Sequence, residues 1–299
     1  MGRGGQGAGI DRRSVLLGGA VFPIAAVSHA QDVDPLEIEE ALARQRARLG
    51  SGGRLGVAAW DGGNRRVGLD AHSRYAMCST FKLPLAAAIL AGAELERWSL
   101  ADEIQFDEYD LLDYAPTVRA GLERGRMSIE ALCAAAMLVS DNSAANLLLA
   151  RLGGPRELTA FLRRCGDRVT RLDRIEPDLN TNLPGDVRDT TTPGAMVALM
   201  WTLLFGEVLG RSSRLKLVSW MARATTGRDR LRAGIPGDWR VGDKTGTGAN
   251  GAYNDIAFAL TPRRVPVLIA CYASGGDASA DERADIHAEV GRIVASAFS

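Results

Sequence analysis

Met77-Cys78-Ser79-Thr80-Phe81-Lys82-Leu83-Pro84 is the stretch around which the rest of the chain is organised. Ser79 and Lys82, three residues apart, fall on one face of a helix about one turn apart. The apolar run of residues 83–90 that follows predicts a buried helix. Burial disfavours an ammonium and lowers its pKa, so a buried Lys82 could take the proton of Ser79 and make its hydroxyl a nucleophile. The competing reading is a capping serine beside a solvated lysine, since Ser-x-x-Lys recurs by chance. Lysine usage favours chemistry. Only three lysines (Lys82, Lys216, Lys244) stand among 36 Lys and Arg residues, and arginine cannot be deprotonated in a protein.

A chain of 299 residues accommodates two small domains or one large layered one. The 36 basic and 36 acidic residues balance, so neither charge nor a polybasic run points to nucleic acid or a membrane surface. Residues 1–30 read as a signal peptide. Arg12-Arg13 precede a mildly apolar run to Val27, too short and too broken by Pro23 to span a membrane, and Ser28-His29-Ala30 is a small-x-small cleavage site. The paired arginines favour twin-arginine export over the general secretory route. The expected mature protein starts near Gln31 and is periplasmic or secreted. Its four cysteines have no compact framework spacing, and the expectation is four free thiols, with Cys133 and Cys271 in apolar runs.

Asp34-Pro35 predicts a helix start, with Ile38, Ala41, Leu42 and Leu49 as its stripe. Residues 55–60 and 66–69 read as strands joined by Asp61-Gly62-Gly63-Asn64. The middle of the chain is helical, most clearly over 129–152, interrupted by Ser140-Asp141-Asn142. Residues 171–193 lack periodicity, and a stretch that long inside a compact domain is usually a functional loop. Helices follow over 194–204 and 213–225, strands over 239–244, 255–260 and 265–273, and a terminal helix carries Ile286, Val290, Ile293, Val294 and Phe298. The fold class predicted is α+β: an antiparallel sheet flanked by helices, built from both chain ends, with an all-α lobe inserted. Residues 31–70 and 222–299 form the first lobe and 71–221, including the 171–193 loop, the second.

Ser79-x-x-Lys82, Ser140-Asp141-Asn142, Glu176-Pro177-Asp178-Leu179-Asn180 and Lys244-Thr245-Gly246 fall where the element types change. Each is weak alone. Together, in this order and at these separations, the chain resembles the class A serine β-lactamases. The resemblance runs from the hairpin before Ser79 to the terminal helix. It implies a β-lactamase and penicillin-binding-protein-like fold, with hydrolysis of penicillins and cephalosporins through an acyl-enzyme on Ser79. In that pattern Ser140 relays a proton to the lactam nitrogen, Asn142 meets the substrate's amide side chain, and Glu176 with Asn180 holds the deacylating water. Backbone N–H groups of Ser79 and Thr247 match the oxyanion hole, and Lys244, Thr245 and Gly246 the substrate-binding strand. Whether Lys82 or Glu176 deprotonates Ser79 stays open at this point.

Arg174 and Asp189 match the ion pair closing the loop, and the resemblance implies a cis peptide before Pro177. Arg230 matches a second cation for the substrate carboxylate, or is one more surface arginine. Tyr114 resembles the aromatic wall of the pocket, or is core. Asp141 reads as structural. Cys78 has Gly248 where some carbapenem-hydrolysing members carry a partner cysteine, so that bridge cannot form here. Thr247 fits cephalosporins as well as penicillins.

Metal chemistry and a Ser-His-Asp site are disfavoured by the scarcity of histidine. Beyond residue 30 only His72 and His287 remain, both expected at the surface or its boundary. No cofactor is expected, and the predicted protein is a monomer acting on small β-lactams. The rivals are a penicillin-binding D-alanyl-D-alanine peptidase, which lacks the loop glutamate, and a penicillin sensor, which would need a membrane span.

Overall fold

A computed structural model describes residues 1–2 and 34–299. The expected signal peptide lies, from residue 3 onward, outside the described residues. Helix α1 (Pro35–Ala47) starts where Asp34 accepts a hydrogen bond from the Leu36 N–H, with Pro35 in the first turn. Strands β1 (Arg54–Trp60), β2 (Arg66–Leu69) and β3 (Tyr75–Ala76) follow. A 3₁₀ turn (Cys78–Phe81) then runs into α2 (Lys82–Glu94). The middle of the chain holds β4 (Glu103–Gln105), α3 (Pro116–Ala120), β5 (Arg126–Ser128), α4 (Ile129–Leu138), α5 (Asn142–Leu152) and α6 (Pro155–Arg164). After the long loop come β6 (Thr190–Thr191), α7 (Pro193–Leu204), α8 (Arg211–Arg223) and the single turn α9 (Leu231–Gly234). Strands β7 (Arg240–Thr247), β8 (Tyr253–Leu260), β9 (Pro266–Ser274) and α10 (Ala280–Phe298) close the chain.

Both chain ends build one antiparallel sheet of order β2-β1-β9-β8-β7. Side chains alternate across it, and both faces are covered. Ile256, Phe258, Leu268, Ala270 and Tyr272 join the large core with α2, α4, α5, α7 and α8. Ala257, Ala259, Val267, Ile269 and Cys271 face the opposite way, onto α1 and α10. This explains why β8 and β9 read as nearly continuous apolar runs rather than half-polar strands. Helix α10 begins with a reciprocal capping box between Ser279 and Glu282 and buries Ile286, Val290 and Val294 against the sheet.

Helix α2 is the centre of the large core. Every residue from Lys82 to Leu90 is buried, so the helix has no polar face and owes its stability to packing. Gly92 permits the Trp98 indole to lie against the helix; a Cβ there would come within 2.1 Å of Cζ2. The Trp98 Nε1–H is satisfied by the Ile89 carbonyl at 3.0 Å.

Three expectations need correcting. Ser79 sits in the 3₁₀ turn before α2 rather than in its first turn, because Cys78 takes φ of 46° and breaks the approach. Strand β7 continues through Lys244-Thr245-Gly246 to Thr247 instead of ending there, since β8 pairs with it to the last residue. His287 is fully buried, packed edge-on against Tyr253 at 5.1 Å, and burial pushes its pKa down to about 3. His72 is exposed as expected. All four cysteines are free.

Truncating Leu85, fully buried in α2, leaves a cavity at the centre of this core. We expect Leu85→Ala to lose about 2–5 kcal/mol in urea unfolding with an unchanged m-value.

Candidate active site

Four elements converge on Ser79. The 3₁₀ turn carries its hydroxyl, α2 supplies Lys82, the Ser140–Asn142 corner joins α4 to α5, and β7 lines the other side. Ser79 Oγ lies 3.3 Å from Glu176 Oε1, and the buried Lys82 Nζ is 3.1 Å from the same oxygen. Lys82 also donates to the Ser140 carbonyl (2.8 Å) and Asn142 Oδ1 (2.5 Å). Burial lowers the pKa of Lys82, and the Glu176 carboxylate opposes that shift.

The Ser140 hydroxyl stands between two cations, 3.3 Å from Lys82 Nζ and 3.0 Å from Lys244 Nζ. Ser140 adopts φ of 61°, a left-handed conformation that costs a non-glycine residue about 1–2 kcal/mol. Asp141 offsets this cost by holding the corner. Its carboxylate accepts from the Ala144 N–H as the cap of α5, and from the Thr117 and Val118 N–H groups at 2.8 and 3.0 Å. It is structural, as its sequence context implied.

Lys244 is fully buried, and burial together with the Lys82 charge lowers its pKa to about 7. The neighbouring Thr245 hydroxyl is 2.7 Å from Thr226 Oγ1. Gly246 is required by closeness rather than by its dihedral angles. A Cβ there would come 2.7 Å from the Met77 carbonyl and 3.2 Å from Ser79 N. Arg230 is buried rather than a surface residue, and it borders the cavity. It is buried with its ring-facing side 3.6 Å over Tyr253, and donates to the Gly246 and Asn254 carbonyls and to Thr247 Oγ1. Tyr114 is exposed at the cavity mouth, so the core reading fails.

These residues line a cavity of about 350 Å³ that includes Ser79, Ser140, Asn142, Asn180, Arg230 and Thr247. Every site residue expected from sequence is brought to this one place, either in the wall of the cavity or, for Lys82, Glu176 and Lys244, hydrogen-bonded to its walls. No cluster of histidine, cysteine and carboxylate groups suited to a metal occurs among the described residues.

The Beta-lactamase enzyme family model matches residues 38–298. Over 291 residues the chain is 41% identical to the β-lactamase Toho-1 of Escherichia coli, covering 96% of this chain and 98% of that protein. The chain belongs to the class A serine β-lactamases. The β-lactamase AST-1 of Nocardia asteroides is 44% identical over 249 residues, 83% of this chain and 80% of that one. The solved structure of a class A β-lactamase reconstructed as the last common ancestor of Gram-negative bacteria superposes with TM-score 0.85 at 52% identity, covering 88% of this chain and 99% of that one. Like its family, this β-lactamase hydrolyses β-lactams, the chemistry of antibiotic resistance.

In this β-lactamase the loop bearing Glu176 contains little regular structure, only a 3₁₀ turn (Asp178–Asn180) and the short β6. Side chains hold it instead. Arg174 Nε meets Asp189 Oδ2 at 2.5 Å, and Asp189 Oδ1 accepts from the Asp173 and Arg174 N–H groups. The Asp189 carbonyl in turn accepts from Met77 N–H at 2.9 Å, tying the loop's end to the approach to Ser79. The Glu176–Pro177 peptide is cis. Asn180 Nδ2 donates to Glu176 Oε2.

Sequence reasoning missed Asn146, Thr226 and the role of Asn254. Asn146 grips the backbone of Glu176 both ways, accepting from its N–H at 3.0 Å and donating to its carbonyl at 2.9 Å. It lies four residues past Asn142 and so on the same helix face, a signal that was available. Asn254 donates to the Ala76 and Met77 carbonyls, holding the turn that carries Ser79 against β8. Thr226 carries no local signal.

Removing the buried Asp189 carboxylate would strand Arg174 and two N–H groups. We expect Asp189→Ala to lose about 3–5 kcal/mol of stability and to become sensitive to limited proteolysis within residues 171–193, read by mass spectrometry of the fragments.

Proposed function

We propose that this enzyme hydrolyses penicillins and cephalosporins in two steps through an ester on Ser79, with Glu176 as the base in both. The observation that carries this reading is the shared oxygen: Glu176 Oε1 contacts both Ser79 Oγ and the Lys82 ammonium. In the first step Ser79 loses its proton to Glu176 and attacks the lactam carbonyl. Lys82 is poorly placed as the base in this state, because its protons are directed at Ser140 O, Asn142 Oδ1 and Glu176. Its charge instead favours the alkoxide as it forms.

The oxyanion is received by the Ser79 and Thr247 N–H groups. The C–N bond then breaks, and the departing nitrogen takes a proton from the Ser140 hydroxyl, which two flanking ammonium groups make a better donor. Lys82, between Glu176 Oε1 and Ser140 Oγ, passes the proton held by Glu176 on to Ser140, restoring the carboxylate and the hydroxyl. In the second step Glu176, steadied by Asn180, takes a proton from water as that water attacks the ester, and gives it to Ser79 Oγ as the ester C–O bond breaks. The substrate carboxylate lies toward Lys244, Thr245 and Thr247, with Arg230 orienting the Thr247 hydroxyl from beneath. Asn142 and Tyr114 border the side from which the amide substituent enters. Gly246 keeps β7 close enough to Ser79 for one carbonyl to reach both edges.

We further propose that the protein is exported through the segment before residue 31 and works as a monomer on small β-lactams, with no nucleic-acid partner, membrane attachment or cofactor. No helix among the described residues is long and apolar enough to cross a membrane.

Glu176→Ala is expected to lower kcat about 10³-fold and to accumulate a one-to-one penicilloyl adduct on Ser79 in intact-mass spectra, because without the carboxylate that opposes the lowering of its pKa the buried Lys82 amine can serve acylation while no group is left to activate the deacylating water. Normal turnover by that variant would remove Glu176 from the mechanism. A stable adduct on the unaltered protein would instead favour a penicillin-binding protein. A second expectation concerns pH. Lys244, with its pKa brought down to about 7 in the free enzyme, binds the carboxylate only while protonated. The value of kcat/KM should therefore fall as pH rises through about 7 and above, and Lys244→Arg should abolish that alkaline limb. A profile flat to pH 9 in the unaltered enzyme would contradict it.

A further inference from the structure

A second cavity, of about 670 Å³, lies behind the loop rather than in front of it, between residues 182–188 and the segments 73–76, 250–251 and 274–276. Four arginines line it, Arg54, Arg74, Arg174 and Arg188, against one lining carboxylate, Asp186. Their own pairings do not exhaust them. Arg54 reaches Asp70 only at 3.8 Å and rests over the Tyr75 ring. Arg174 is committed to Asp189 and Thr181 and stands 3.6 Å from Asp186, which Arg188 holds more closely at 2.9 Å. Arg74 donates only to neutral oxygens, the Val169 carbonyl and Thr190 Oγ1, and has no ion-pair partner among the described residues. The Arg174 and Asp186 side chains are 18% and 15% exposed, while Arg54 and Arg188 are about half exposed at the rim, where a ligand from solvent can reach them.

We propose that this recess is a second ligand site, taking a small multivalent oxyanion of the phosphoryl type. The anion would bridge Arg54 and Arg74 on the sheet side to Arg188 on the loop. Guanidinium forks suit such a group because each can offer two parallel N–H donors to one oxyanion. The bridge would add a fastening to a loop whose only strand anchor is the two-residue pairing of β6 with β3. Glu176 lies two residues from Arg174, so occupancy would bear on the segment that carries it. The proposal concerns binding and loop stability, and stands apart from the acyl-enzyme reading above.

Inorganic pyrophosphate is the probe. In the unaltered protein it should raise the melting temperature saturably, by about 3 °C at a tenfold excess over its Kd, and slow proteolysis within residues 182–188. Sodium chloride at matched ionic strength should do neither. Arg74→Gln and Arg188→Gln should each reduce the pyrophosphate-induced shift at least threefold, while Arg223→Gln on α8, outside the recess, keeps it. Because the readout is the induced shift, a lower starting melting temperature in Arg74→Gln does not obscure it, and the exposed Arg188 gives an independent variant. No shift at millimolar pyrophosphate, or an equal shift in all three variants, overturns the proposal.

Discussion

The buried ion pair between Lys82 and Glu176 is the constraint that the rest of the structure serves. Both side chains are fully enclosed. Two enclosed charges cost several kcal/mol each in lost hydration, which mutual attraction recovers only when the remaining donors and acceptors are satisfied. Here they are. The Ser140 carbonyl and Asn142 Oδ1 take the lysine's other protons, Ser79 Oγ and Asn180 Nδ2 meet the carboxylate, and Asn146 fixes the Glu176 backbone. The partners come from three segments, the turn before α2, the α4–α5 corner with α5, and the loop itself, so the pair can exist only where those segments meet. The helix α2 places the lysine, and nothing within α2 explains why it is tolerable there.

The same requirement accounts for the unusual backbone nearby. Cys78, Ser140 and Asp189 all have positive φ without being glycine, each unfavourable by about 1–2 kcal/mol in isolation. Cys78 turns the chain so that Ser79 leaves the strand approach and enters the 3₁₀ turn. Ser140 turns its carbonyl and its hydroxyl toward Lys82. Asp189 closes the loop and hands its carbonyl to Met77. Strain is held at the three joints that bring loop, corner and Ser79 together, and the carboxylates of Asp141 and Asp189 compensate by satisfying N–H groups that would otherwise be unpaired.

Much of this was legible before any coordinates. The helical stripes of α1 and α10, the strands β8 and β9, and the break between α4 and α5 announce themselves through periodicity, caps and turn residues, because these are local preferences. Ser79, Lys82, Ser140, Glu176 and Lys244 were legible as motifs, and the structure gathers them. What failed were statements about surroundings. His287 looked like a boundary residue but lies wholly inside, because the helix face that carries it packs against the sheet, edge-on to Tyr253 of β8. Arg230 read as a pocket cation or a surface charge; it is buried, stacked on Tyr253 and bonded into two strands while bordering the cavity, so only the surface reading fails. Thr226 and Asn254 gave no signal, since their partners are distant in sequence.

The sequence by itself therefore determined the family, the order of elements and the chemical inventory: one serine beside a rare lysine, a loop glutamate, a second lysine on a strand. Those follow from residue type and short-range spacing. Only the tertiary structure decided which oxygen Lys82 and Ser79 share, that Arg230 donates to the Thr247 hydroxyl, and that an arginine-lined recess lies behind the loop. Such facts depend on distances between segments tens of residues apart, and those distances are set by how the sheet and the helical core pack, not by any local preference of the chain.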